Sequence, residues 1–120
     1  MTWRDTFASL STEDKIAAAI LCAWPTTDSL PWRRWAVGWL TGEDRDHDVA
    51  GRVYNFVPIG RPVSWALTAA RYPTTSKPLE LTIILSIRAG IDPDPILDDI
   101  PAGDLQRYID RAEQELAHAP

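Results

Sequence analysis

Glu43, Asp44, Asp46, His47 and Asp48 form the one cluster of carboxylates with an imidazole in this 120-residue chain. Acidic oxygens and a ring nitrogen can hold a divalent ion that activates water. A metal needs ligands that converge, whereas neighbouring positions at the start of a helix radiate apart. The second histidine, His118, stands close to the last residue and completes nothing. The cluster suits the positive end of a following helix better than a metal ion. A metal-dependent hydrolase built on Asp44, His47 and Asp48 is the enzymatic alternative. Asp92 and Asp94 alternate as calcium ligands do. A proline follows each, however, and the Gly and Glu that close a calcium loop are missing. Asp98 and Asp99 add charge there without geometry, so turn chemistry is the reading. The single cysteine, Cys22, excludes an internal disulfide and a Cys-based zinc site. It lies in an alanine-rich helical segment and reads as a small buried apolar residue; as a nucleophile it would need His47. Nucleophile elbows, Gly-rich phosphate loops and dinucleotide fingerprints do not occur. The expectation is a protein without catalytic residues, metal or cofactor.

What remains is surface chemistry. The chain carries 12 basic and 17 acidic side chains, a formal charge of −5. Residues 1–40 net zero and residues 41–90 net +1, whereas residues 91–120 hold two bases against eight acids and net −6. An acidic end repels phosphate backbones and attracts a basic partner by steering and complementarity. Asp98, Asp99, Asp104, Asp110, Glu113 and Glu115 are therefore the candidate partner-binding residues. Arg33, Arg34, Arg45, Arg52, Arg61, Arg71 and Arg88 would make a basic patch if the fold gathered them, but direct nucleic-acid binding works against the overall charge. Six tryptophans are many for this length. Trp32, Trp35 and Trp39 share one helix face by their spacing, which suits a core stripe. Trp32 is kept as the candidate exposed anchor of an interface.

These residues must be positioned by short helices, because ten prolines and six glycines cut the chain into small segments. Ser11 caps a helix in which Ile16, Ile20 and Trp24 share a face and which Pro25 stops. Ser29 or Leu30 leads through Pro31 into the tryptophan helix, which closes at Gly42. Gly38 within it leaves room for a neighbouring helix or ring. Val49, Val53, Phe56 and Val57 continue with helical spacing to Pro58. Pro62 opens a helix ended by Pro73, with a polar loop at Thr74–Ser76. Leu79, Leu81, Ile83, Leu85 and Ile87 alternate like a strand. Ser76 as a cap, Pro78 in a first turn and Gly90 at the end favour a helix instead. A turn and a short helix run through Leu97, and residues 104–117 form the most amphipathic helix. The fold class is all-α, a single domain of about seven short helices packed at varied angles. If residues 79–87 form a strand, it is α+β. No apolar run approaches a membrane span and no leader is visible, so the expected location is cytoplasmic.

The stretch Trp35-Ala36-Val37-Gly38-Trp39-Leu40-Thr41-Gly42-Glu43-Asp44-Arg45 resembles a Trp-Ala-x-x-Trp-Leu-Ser-Gly-x-Asp-Arg pattern of small helical immunity proteins from bacterial and phage genomes. Ala69-Ala70-Arg71 and Arg88-Ala89-Gly90-Ile91-Asp92 are similar to their alanine-rich helix and closing turn. Pro58, Pro62, Pro73 and Pro78 depart from it by interrupting the long helices. The resemblance implies a small helical binding protein and transfers no active residue. Together with the segregated charge, it leads to the expectation of an acidic, non-enzymatic inhibitor or immunity-type protein. Its C-terminal carboxylates would occupy phosphate positions on a basic nuclease or nucleic-acid-guided effector. The alternative is an adaptor that self-associates, as a homodimer, through its aromatic helix.

Overall fold

Cap residues and proline positions cut the chain into short helices, and a computed structural model that describes residues 2–58, 60–71 and 77–118 shows eight α-helices among those residues. They are α1 (Trp3–Ala8), α2 (Thr12–Ala23), α3 (Leu30–Thr41), α4 (His47–Val53), α5 (Pro62–Arg71), α6 (Lys77–Arg88), α7 (Asp94–Asp99) and α8 (Leu105–Ala117). Among the described residues there is no strand, and the all-α expectation holds. Single turns of tighter helix at Trp24–Thr26 and Tyr54–Phe56 follow α2 and α4. No helix of the described residues is long and apolar enough to cross a membrane.

The ends follow local chemistry. Ser11 accepts the Asp14 N–H at 3.2 Å, Ser29 accepts the Trp32 N–H at 3.4 Å, and Asp46 accepts the Asp48 N–H at 2.8 Å. Gly42 closes α3 with φ of 78°, a left-handed conformation that costs other residues about 1 kcal/mol or more. The space over Gly38 is filled by the chain's own turn, not by another helix. The Asp44 N–H donates to the Gly38 carbonyl at 3.0 Å, and a Cβ at Gly38 would stand 3.6 Å from that of Asp44. The expected continuation through Phe56 is corrected. Helix α4 stops at Val53, a tight turn follows, and Val57 is extended ahead of Pro58, as the residue before a proline prefers. Phe56 is thereby left on the surface. The expected stop at Pro73, the loop at 74–76 and the cap at Ser76 lie outside the described residues.

Helix α2 is the centre. From Ile16 to Ala23 every residue is buried, so it is covered on all sides, chiefly by α5, α6 and α7. Four alanines there let the neighbouring backbones approach. Helix α6 answers with Leu79, Thr82, Ile83 and Ser86, a single face with the 3.6-residue period. Its two buried hydroxyls are satisfied within the helix: Thr82 donates to the Pro78 carbonyl at 2.8 Å and Ser86 to that of Thr82 at 2.7 Å. Helix α3 lies between α4 and α8, and α1 rests on α7.

Candidate functional site

The C-terminal acids are carried by α7, α8 and their connections. Pro95 sits in the first turn of α7, the Asp92 carboxylate accepts the Asp94 N–H at 3.0 Å, and Leu97 is fully buried as the anchor of the helix. Asp98 consequently faces solvent. Asp99 turns toward α8, where it accepts from the Arg107 guanidinium at 2.8 Å and from the Tyr108 hydroxyl. Partial burial, then the bond to Asp99 and its charge, raise the Tyr108 phenol above its ordinary pKa, while Arg107 opposes them. Asp104 is exposed, with its carboxylate 4.0 Å from Arg107.

Helix α8 turns Ile109 and Ala112 inward, with Leu105, Tyr108 and Leu116 partly buried beside them, and packs on α3. Asp110 accepts from the Gln106 amide at 2.9 Å. Glu115 accepts from the indole N–H of Trp24, a ring only 6% exposed, and so caps a nearly buried donor. Glu113 is exposed on the outer face. Arg107 and Arg111 lie 5.3 and 5.9 Å from the Tyr108 ring centre. The fold therefore divides the six candidate carboxylates. Asp99, Asp110 and Glu115 hold side chains of this protein and Asp104 stands at the limit of ion-pair distance from Arg107, whereas Asp98 and Glu113 are available to something else. Residues 105–120 net only −1, and the acid excess is concentrated in residues 91–104, with five aspartates and no base.

Trp32 does not join this surface. It is 0% exposed, with its indole N–H donated to the Val63 carbonyl at 3.0 Å and its ring 6.2 Å from Trp24 and 5.8 Å from Trp35. The physical reason is the matching acceptor on α5. A buried indole needs a partner for its one donor, and here the partner lies deep in the core. Trp35 and Trp39 are buried as well, so the whole i, i+3, i+7 stripe is interior.

The 43–48 cluster works as a ladder of turns. Asp44 accepts the Asp46 N–H at 3.1 Å, and Asp46 in turn caps α4. Between them Arg45 stacks 4.1 Å above Trp39, donates to the Trp39 carbonyl at 2.9 Å and meets Glu13 at 3.2 Å. The side chain of His47 lies outside the described residues, and among those described no three His, Cys, Asp or Glu side chains converge on a metal position. Burial, with a smaller effect from the charge of Asp92, pushes the Cys22 thiol up to about 12, so it is not a nucleophile near neutral pH. No family model matches the chain, and neither does any curated protein or solved structure.

Sequence reasoning missed one constellation. A groove of about 710 Å³ runs between the start of α3 and the segment that enters α5, lined by Arg33, Arg61 and Phe56 among others. The sequence shows the arginines but not their gathering. Phe56 is hidden by its helical spacing, which the turn at Tyr54–Phe56 breaks.

Proposed function

We propose that this chain is a non-enzymatic binding protein of inhibitor or immunity type, whose acidic surface at α7 and the start of α8 docks on a basic protein. The observation that carries this reading is the exposure of Asp92, Asp94, Asp98 and Asp104 in a stretch without one lysine or arginine. Such a patch attracts a cationic surface over about 8–10 Å at physiological salt. It offers oxygens where a nuclease or nucleic-acid-guided effector would expect phosphates. Asp98 and Glu113, with Asp104 held only by its 4.0 Å contact with Arg107, are the residues offered to that surface. The burial of the α3 tryptophans leaves a homodimer through that helix without an apolar face to use.

The test is an association-rate measurement between this protein and a basic effector captured from a bacterial lysate, at low and at physiological salt. The triple variant Asp98→Lys, Asp104→Lys, Glu113→Lys should associate about tenfold or more slowly and lose most of its salt dependence. A partner that binds the wild type and this variant at equal rates removes the reading.

A further inference from the structure

Five aromatic rings of this protein are matched by a cation. Trp3, Phe7, Trp24, Trp39 and Tyr108 each carry a lysine or arginine, at ring-centre distances between 4.1 and 5.9 Å. The groove beside α3 brings an unmatched ring and an unmatched cation together. Phe56 is 67% exposed, and among the described residues no ring or cation lies over it. Arg61, in the same groove, is exposed and has no ion pair among the described residues. Arg33 is held by its stack on Trp24 at 4.8 Å and by a 3.4 Å bond to the Trp24 carbonyl, yet its Nε–H is buried without an acceptor. Thr27 and Ser29 each accept a backbone N–H, at 3.1 and 3.4 Å, so both hydroxyl protons remain to be donated. Asp28 supplies one exposed carboxylate.

The set is thus two guanidiniums, two hydroxyl donors, one carboxylate and one bare aromatic face. An acidic peptide would satisfy the arginines but leave the bare face of Phe56 and the Asp28 acceptor unused. We infer that the groove binds a nucleoside monophosphate. Arg33 and Arg61 take the phosphate oxygens as charge-assisted donors. The face of Phe56 stacks the base, as aromatic side chains do in single-strand binding sites. Asp28 accepts from a ribose hydroxyl, the role acidic residues play toward sugar hydroxyls in nucleotide folds. The groove volume lies within the range of small-molecule sites. None of the carboxylates assigned to the partner surface lines this groove, so the two sites stand or fall separately.

Calorimetric titration of the full chain with AMP, GMP, CMP and UMP tests this, with inorganic phosphate, adenosine and a short oligothymidylate as controls. At least one monophosphate should bind with submillimolar affinity, about tenfold or more above phosphate or nucleoside alone. Arg61→Ala and Phe56→Ala alter exposed side chains and should leave the far-ultraviolet dichroism unchanged. Each should weaken that monophosphate about tenfold, and Phe56→Ala should bring it down to the affinity of phosphate. The inference is overturned if no monophosphate binds at millimolar concentration. It is also overturned if both variants bind as well as the wild type, or if the oligothymidylate binds where no mononucleotide does.

Discussion

The tryptophans of α3 and the carboxylates of α7–α8 are the two compositional excesses of this chain, and the fold treats them in opposite ways. Trp32, Trp35 and Trp39 are all turned inward, and Trp32 has its one polar atom satisfied by a backbone carbonyl of α5. The acids stay at the rim, where water solvates them. An aromatic surplus is a source of burial energy and needs no partner molecule to account for it. An acid surplus without bases in the same stretch contributes no burial and leaves a field that reaches into solvent. The two excesses meet at one place, where Glu115 accepts the indole proton of Trp24 across 91 residues of sequence. That carboxylate belongs to the interior in function although it sits on the acidic helix.

The contrast can be broken most sharply at Trp32. Trp32→Ala should cost about 3–5 kcal/mol of unfolding free energy, read from urea denaturation. A loss below about 1 kcal/mol would place that ring outside the core. Glu115→Ala leaves the Trp24 donor without an acceptor and should cost about 1–3 kcal/mol, whereas Glu115→Gln, which keeps an acceptor oxygen, should recover most of it. Alkaline pH probes the interior through Cys22, whose thiol stays neutral in the folded state up to about 12 against an ordinary 9.0. The unfolded chain gains free energy by ionising first, so this contribution is complete below pH 9.0 and is lost as pH climbs toward about 12. Cys22→Ala should flatten the decline of the urea midpoint across that window. The smallest effect is expected at the rim: Asp98→Asn and Asp104→Asn should each change stability by no more than about 0.5 kcal/mol. A larger loss would show that these acids hold the fold rather than face a partner.

Much of the architecture was legible because it is written locally. Ser11, Ser29, Pro31 and Gly42 mark helix ends through backbone chemistry that needs no distant contact. The large apolar residues from Leu79 to Ile87 carry a strand's period of two. The face that α6 buries is Leu79, Thr82, Ile83 and Ser86, half of it hydroxyl-bearing, and helical hydroxyls can be satisfied by their own backbone. The candidate site was legible only as a charge total. Nothing local distinguishes Glu115, which caps Trp24, from Glu113, which faces solvent. Nor does spacing reveal that Trp32 finds its acceptor at Val63, or that Phe56 leaves its helix one turn early. Each of these depends on what another segment brings to the same point in space.

The alanines of α2 set a further condition on how this protein can change. Ala17, Ala18, Ala19 and Ala23 are at most 1% exposed, so the separation of the layers around them is fixed by single methyl groups. Room for variation there is one-sided. Glycine, the only smaller choice, loosens the helix, and anything bulkier must wedge its neighbours apart at a cost of about 1–3 kcal/mol. Exposed positions on the outer helices meet no such limit, and side chains there can change without disturbing the axle about which they are mounted.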